Sequence, residues 1–200
     1  MKLHYSATSP YVRKAYATAL EAGLEGVVEL APTDAWASDP AFLARNPLSK
    51  VPALALEDGT TLFDSPVICE FLDAQGGAGL FPPAGPARWM ALRLQALGDG
   101  IMDAAVARLL DSRRDPAQQS AAWQDRQKAA IARACDTLEA EVGDLEGPPT
   151  IGAIAVGCAL GYLDMRFSGD AWRDGRPKLA AWFAGFEERP SMVRSAPPKS

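Results

Sequence analysis

The stretch VPALALEDGTTLFDSPVICEFLD, residues 51–73, carries the clearest structural signals in the chain. Two apolar runs, ALAL and TTLF, flank Glu-Asp-Gly at 57–59, and Asp-Gly between apolar runs is typical of a β-hairpin. The Asp-Ser-Pro that follows at 64–66 is a typical helix start, because Ser is a preferred cap and Pro fits the first turn. Gly76 and Gly77 predict the end of that helix. The stretch therefore predicts strand, strand, helix.

The residues before this stretch predict a second unit of strand, helix, strand. KLHY (2–5) and VVEL (27–30) are short β-like runs, and between them lies TSPYVRKAYATALEAG (8–23). Within it, apolar residues recur at helical spacing, namely Val12, Ala15, Tyr16, Ala19 and Leu20. The lengths suit a right-handed βαβ crossover. The predicted order is βαβ followed by ββα, with irregular structure and a short helical turn at 31–47.

After a Gly/Pro-rich segment the character of the sequence changes, because no further strand pattern occurs. Helical periodicity predicts helices over 87–112, 118–142, 150–167 and 176–190. The helix at 150–167 is apolar nearly all round, which is typical of a buried central helix. We expect an α/β domain at 1–76, a linker at 77–86 and an all-helical domain at 87–200.

Composition and charge exclude several classes of protein. The chain has 200 residues, of which 48% are hydrophobic, and a net charge of −5. The acidic balance argues against general nucleic-acid binding. No apolar run reaches the roughly 18 residues of a membrane span, and the N-terminus lacks the apolar core of a signal peptide. We therefore expect no membrane and no nucleic acid among the partners.

The cysteines and the single histidine predict no metal or disulfide chemistry. Cys69, Cys135 and Cys158 are far apart, odd in number and set in apolar helical patterns. They are interpreted as core residues, which fits a reducing cytoplasm. His4 has no second histidine to form a metal site or a triad with, and is interpreted as structural.

Val51-Pro52 stands immediately before the first strand of the hairpin. The ordinary expectation is a trans bond, since only about 5–6% of X-Pro bonds in folded proteins are cis. A cis bond would turn the N–H and C=O of Val51 away from the sheet. They would then be able to pair with an extended peptide, as in strand addition.

Two helix starts carry residues that serve either as caps or as ligand contacts. Ser65 with the helix N-terminus suits a carboxylate, and Asp64 beside it suits an ammonium group. The alternative is that both residues only cap the helix. Ser9 is likewise either a plain cap or a hydroxyl that donates to an anion such as a thiolate, which would lower the pKa of that thiol. Together with Val51-Pro52, these signals suit an extended, amino-acid-like ligand that bears a thiol.

The chain resembles the glutathione S-transferase superfamily, and within it the serine-using bacterial members. The motifs that carry the resemblance cover nearly the whole chain and are TSPYVRK, NPLSKVPAL, LFDSPVICEFLD, GDGIMDA, GCALGYLD and RPKLAAWFAGFEERPS. The resemblance implies a thioredoxin-like domain that binds glutathione, followed by a helical-bundle domain that forms the pocket for an electrophile. It also implies a cytoplasmic homodimer with a role in detoxification.

The resemblance assigns roles to individual residues. Pro52 corresponds to the cis-proline of the family, and Val51 to the residue whose backbone pairs with the cysteinyl part of glutathione. Asp64 and Ser65 correspond to residues that bind the γ-glutamyl end. Ser9 occupies the place of the hydroxyl that stabilises the thiolate.

Further assignments by resemblance concern the rest of the ligand. Lys50 is a candidate for the glycine carboxylate, and Thr8 is the nearest alternative to Ser9 at the thiol. Asp99 or Asp103 would reach the glutamyl amine across a dimer interface, or else form a solvated helix face.

The implied activity is conjugation of glutathione to an electrophilic small molecule, with glutathione as cosubstrate and no metal or other cofactor. The electrophile would contact the helix that contains DGIMDAAVARLL and the loop after the first strand. Ser9 cannot form the mixed disulfide of relatives that carry cysteine there, which favours conjugation. The alternatives are a non-catalytic binding or stress-related protein of the same architecture, and a glutathione-dependent peroxidase or isomerase.

One departure from the family is Ala153, which stands where an acidic residue completes a capping box, so that Thr150 would cap alone.

Overall fold

The structure, a computed structural model, describes residues 1–37 and 39–198. The strands are β1 (Lys2–Tyr5), β2 (Glu29–Pro32), β3 (Ala53–Ala55) and β4 (Thr61–Leu62). The helices are α1 (Pro10–Glu21), α2 (Pro40–Leu43), α3 (Ser65–Gly76), α4 (Gly85–Ser112), α5 (Ala121–Ala140), α6 (Ile151–Arg166), α7 (Pro177–Phe186) and α8 (Pro190–Arg194). Among the described residues, no helix is both long and apolar enough to span a membrane.

The chain divides into two compact units. The first comprises Met1–Pro83 together with the residues from Pro190 on, and the second comprises Ala84–Arg189. The sequence-based division into 1–76, a linker at 77–86 and 87–200 stays a prediction. The structure differs from it at the end of the chain, where α8 belongs to the first unit.

The first unit contains a four-stranded sheet in the order β2-β1-β3-β4. β1 pairs with β2 in parallel and with β3 antiparallel, and β3 pairs antiparallel with β4. This confirms the predicted βαβ-ββα order, the thioredoxin-like class and the hairpin around Asp58-Gly59. β2 begins two residues later than the predicted run at 27–30, because the N–H of Val28 bonds back to Leu24 C=O at 3.0 Å in the turn after α1.

The start of α3 differs by one residue from the prediction. Asp64 occupies the cap position, Ser65 is the first helical residue and Pro66 is the second. Gly77 ends the helix with φ 69°, in the left-handed region that glycine adopts without strain.

The second unit is built around α6, whose residues Ile151–Leu160 are all buried. This confirms the predicted central helix. Thr150 caps it alone, and its Oγ1 accepts from the N–H of Ala153 at 3.3 Å. The three cysteines are buried, as expected, and burial raises the pKa of the Cys135 thiol to about 11.

Two glycines allow α4 and α6 to approach closely. A Cβ built on Gly98 would lie 2.7 Å from the carbonyl carbon of Ala155. A Cβ on Gly152 would lie 2.5 Å from Leu94 Cβ and 2.8 Å from Ala91 C=O. Leu94 of α4 faces Gly152 of α6, and Gly98, further along α4, faces Ala155, further along α6. The two helices therefore run parallel, with a close approach of their backbones.

We predict opposite effects for Gly98→Ala and Gly100→Ala, two substitutions in the same helix. At Gly98 the new methyl group meets backbone atoms that cannot move aside, so the free energy of unfolding should fall by about 1–3 kcal/mol. Gly100 is exposed and a Cβ there meets nothing within 4 Å. Alanine at position 100 should therefore raise the free energy of unfolding by about 0.5–1 kcal/mol. Urea unfolding of the two variants measures this, and changes of the same sign in both would contradict it.

His4 is hydrogen-bonded within the first unit. Its Nδ1 lies 2.9 Å from the Oγ1 of Thr33, whose hydroxyl donates to Ala31 C=O at 3.0 Å. Because that hydroxyl hydrogen is already used, Nδ1 must be the donor in the pair. Burial lowers the pKa of His4, and the charges of Arg45 and Lys2 lower it further.

We predict that His4 makes the protein less stable in mild acid. Well above the ordinary histidine pKa of about 6.5, the ring is neutral in both the folded and the unfolded chain. Below that pH the unfolded chain takes up a proton that the folded chain resists, so the free energy of unfolding falls. His4→Asn keeps a donor for Thr33 without a titrating group, and should lose less stability between about pH 8 and pH 5. Equal losses in parent and variant, measured by urea unfolding, would contradict this.

Candidate functional site

The strand pairing brings three chain segments to one edge of the sheet. His4, next to the end of β1, pairs with Ala53 at the start of β3, and Leu62 at the end of β4 pairs with Leu54. The segments that leave these strand ends are therefore neighbours. They contain all the predicted first-unit contacts, namely Thr8, Ser9, Lys50, Val51, Pro52, Asp64 and Ser65.

Ser9 is the cap of α1, with Pro10 as the first helical residue. Its Oγ accepts a hydrogen bond from the N–H of Val12 at 3.4 Å. Capping uses only an acceptor site of the hydroxyl, and the hydrogen is donated to no residue in the part of the chain that the structure describes. The two interpretations of Ser9 are therefore compatible, since one oxygen can cap the helix and donate outward. Thr8 is exposed beside it.

The Val51–Pro52 peptide bond is cis. Val51 is half-buried and Pro52 is buried. Neither the N–H nor the C=O of Val51 bonds to another residue within 1–37 and 39–198, because β3 begins only at Ala53. An extended peptide at this edge therefore has an unused backbone donor and acceptor to pair with.

Asn46 shapes the loop that leads into Val51, and sequence reasoning missed it. It is 1% exposed, its Nδ2 donates to Lys50 C=O at 2.8 Å, and its Oδ1 accepts from the N–H of Leu48 at 3.0 Å. The loop is also fastened by Ser49, whose hydroxyl donates to Ala35 C=O at 2.7 Å. The available signal was Asn-Pro at 46–47, since Asn side chains commonly bond to backbone two residues on.

The start of α3 places an acid beside unsatisfied helix donors. The N–H of Ser65, which is 3% exposed, donates to no described residue. The side chain of Asp64 is exposed and makes no capping hydrogen bond. Capping alone therefore does not account for Asp64, and the pair presents one anionic group and a cluster of backbone donors.

Three other predicted contacts either lie outside the first unit or have a side chain that the structure does not fix. Asp99 and Asp103 are on α4, in the second unit. Lys50 has an exposed side chain, and only its backbone carbonyl is fixed, by Asn46.

Comparison with known families identifies both halves of the chain. Residues 8–75 match the glutathione S-transferase N-terminal domain, and residues 121–185 match the glutathione S-transferase C-terminal domain. A curated relative, the "uncharacterized GST-like protein YibF" of Escherichia coli (strain K12), is 36% identical over 206 residues and is covered in full, as is this chain. The chain belongs to the glutathione S-transferase family.

Solved structures of other family members are similar over the whole length. A glutathione transferase family member from Pseudomonas fluorescens Pf-5 with bound glutathione has a TM-score of 0.95 at 42% identity, with 99% of each chain covered. A second structure of a Pseudomonas fluorescens Pf-5 family member, with bound S-(propanoic acid)-glutathione, has a TM-score of 0.91 at 42% identity and covers 100% of both chains.

We predict that Asn46→Ala loosens the loop before Val51. The substitution removes the hydrogen bonds to the carbonyl of Lys50 and to the N–H of Leu48, both part-buried, and each contributes about 0.5–1.5 kcal/mol. The amides of Leu48 and Ser49 should therefore exchange with solvent roughly 5- to 100-fold faster, as measured by hydrogen exchange. Amides of α1 serve as the internal control. Unchanged exchange at Leu48 would show that Asn46 does not hold the loop.

Proposed function

We propose that the protein is a serine-using glutathione transferase, which binds glutathione in its first unit and conjugates it to an electrophilic small molecule. The observation that carries this proposal is the Ser9 hydroxyl. It caps α1 through its oxygen, keeps its hydrogen uncommitted among the described residues, and lies at the edge where Val51 and Asp64-Ser65 also emerge.

Each part of glutathione has a partner of matching chemistry at this edge. The free N–H and C=O of Val51 pair with the backbone of the cysteinyl residue. At the γ-glutamyl end, Asp64 takes the ammonium group, and Ser65 with the first N–H groups of α3 takes the carboxylate. Lys50 takes the glycine carboxylate.

The chemical step follows from the position of Ser9. Its O–H donates to the glutathione sulfur, and the positive end of α1 adds to that stabilisation, so the thiol loses its proton at a lower pH. The thiolate then attacks an electrophilic carbon to form a carbon–sulfur bond. Either a leaving group departs with the bonding electron pair, or an activated double bond takes up the pair and then a proton. The nucleophile belongs to glutathione, and the enzyme supplies its pKa.

A relative's ligand supports conjugation over peroxidase or isomerase chemistry. S-(propanoic acid)-glutathione, bound in the Pseudomonas fluorescens structure, carries carbon on the glutathione sulfur, which is the bond that conjugation forms. We extend this to the present chain, with α4 and the rest of 87–200 contacting the electrophile. The same proposal includes detoxification as the role and a homodimer in which Asp99 or Asp103 reaches the glutamyl amine. It also includes a cytoplasmic location, which suits cysteines that are buried in the core.

Ser9→Ala should abolish most thiol activation while leaving glutathione bound. A hydrogen bond to a charged group contributes about 1.5–3 kcal/mol, so the pKa of the bound thiol should rise by roughly one to two pH units. The pKa is measured from thiolate absorbance during a pH titration of glutathione with the protein, compared with about 8.5 for the free thiol. At a pH below that pKa, each rise of one pH unit in the pKa lowers the thiolate fraction about tenfold, so the rate of conjugation should fall about 10- to 100-fold. The Kd for glutathione should change little.

Thr8→Ala is the matched control, because Thr8 is the adjacent exposed hydroxyl. It should leave both the thiol pKa and the rate near those of the parent. An effect at Thr8 and none at Ser9 would move the activating role to Thr8. Glutathione that binds the parent with its thiol pKa unshifted would refute the transferase and favour a binding module.

A further inference from the structure

A cavity of about 300 Å³ lies in the second unit, where the end of α4, the short 3-10 helix Pro116–Gln118 and the start of α5 meet. Its lining residues are Ala107, Leu110, Asp111, Arg114, Gln118, Ser120 and Trp123. The volume is at the lower end of the range for small-molecule sites.

Asp111 is the most buried charged group of this cavity, at 6% exposed. Its Oδ2 accepts from the N–H of Ser120 at 3.2 Å and from Nε2 of Gln124 at 2.9 Å. Its Oδ1 accepts no hydrogen bond from any residue that the structure describes. One oxygen therefore satisfies the start of α5, and the other is left as an acceptor in the cavity wall.

The wall that carries Asp111 is fixed by hydrogen bonds from side chains to backbone. Gln124 also donates to Arg108 C=O at 2.9 Å, which holds α5 to α4. Gln119 donates to Ser112 C=O at 3.2 Å and to Arg114 C=O at 3.0 Å. The loop between the two helices is thus preformed, so that a ligand would meet an oriented carboxylate.

The rest of the lining combines apolar surface with a cation. Trp123 is 44% exposed and Leu110 is 36% exposed, so both present apolar area to the cavity. Arg114 forms no ion pair within residues 1–37 and 39–198, whereas Arg108 is paired with Asp170 at 2.6 Å. An anionic acceptor and an unpaired cation therefore line the same cavity without neutralising each other.

We propose that this cavity binds a small zwitterion with an apolar group, of the kind represented by an apolar free amino acid. The ammonium group of the ligand donates to Asp111 Oδ1, its carboxylate accepts from Arg114, and its apolar group packs on Trp123. Such a ligand offers each of the two charged groups of the lining a group of opposite charge. This site is separate from the proposed glutathione contacts and does not depend on them.

The test uses L-phenylalanine and two analogues that each lack one charge. Phenethylamine lacks the carboxylate, and 3-phenylpropanoate lacks the ammonium group. Binding to the full-length protein is measured by calorimetric titration or ligand-observed NMR. Phenylalanine should bind about tenfold or more tightly than either analogue, because each loses one charge-assisted hydrogen bond.

Paired variants assign the two charges. Asp111→Asn should weaken phenylalanine and phenethylamine about tenfold and leave 3-phenylpropanoate unchanged. Arg114→Gln should weaken phenylalanine and 3-phenylpropanoate and leave phenethylamine unchanged. Arg113→Gln removes the same charge from the neighbouring residue, which does not line the cavity, and should change nothing. Arg114 is exposed, so the Arg114 arm stands even if Asp111→Asn disturbs folding.

Three results would overturn the inference. The first is no binding of phenylalanine up to about 10 mM. The second is an equal effect of the Arg113 and Arg114 variants, which would indicate general electrostatic attraction. The third is loss of phenylalanine binding in Asp64→Asn but not in the Asp111 or Arg114 variants. That result would place the probe in the proposed γ-glutamyl site, and would thereby leave the proposed glutathione contacts intact while removing this site.

Discussion

The antiparallel pairing of β3 with β1 is the constraint on which the candidate site depends. Leu54 lies opposite Leu3, and both side chains are fully buried. A shift of one residue would send these leucines to the opposite faces of the sheet, so the hydrophobic core fixes the register. That register sets the level of Ala53 against His4, and therefore where Val51 stands relative to the turn that contains Ser9. The contacts proposed at this edge are therefore positioned by the packing of Leu3 and Leu54 in the core.

The position of Ser9 also depends on the far end of the chain, through α8. Near the start of α1, the guanidinium of Arg13 donates to Met192 C=O at 3.1 Å. At the end of α1, the hydroxyl of Ser191 donates to Glu21 at 2.5 Å. The helix whose first turn presents Ser9 is thus held at both ends by residues from Pro190 on. This explains why the first unit is not one continuous stretch of sequence, and why its stability cannot be assigned to residues 1–83 alone.

The elements that local sequence could predict are those decided by local physics. Asp-Gly at 58–59 predicted the hairpin, and apolar periodicity predicted α1 and the buried α6, since turn preference and periodicity act within a few residues. The start of β2 was wrong by two residues because Val27 and Val28 look like strand residues. In the folded chain the N–H groups of both residues bond to Leu24 C=O, at 2.9 and 3.0 Å, and so do not pair with β1.

The residues of the candidate site could be proposed from the sequence, whereas the residues that hold them in place could not. Ser9 and Asp64-Ser65 could be found because hydroxyl and acidic residues before a proline are typical helix starts. Asn46 was missed because a polar residue in a loop looks like surface, and only the folded loop buries it. The membership of α8 was missed for the same reason, since contacts between α8 and α1 join residues about 180 positions apart and leave no local pattern.

Burial raises the pKa of a thiol, whereas a hydrogen-bond donor and a positive helix end lower it. The protein's own thiols would therefore have a higher pKa than a thiol bound beside Ser9. Burial disfavours the thiolate, and it raises the pKa of Cys135 to about 11. Cys69 and Cys158 are fully buried as well, so no protein thiol lies exposed at a helix start. A thiol beside Ser9 meets the opposite conditions, with a hydroxyl donor and the positive end of α1. If glutathione binds beside Ser9 as proposed, its thiol would therefore form the thiolate more readily than any of the three buried cysteines.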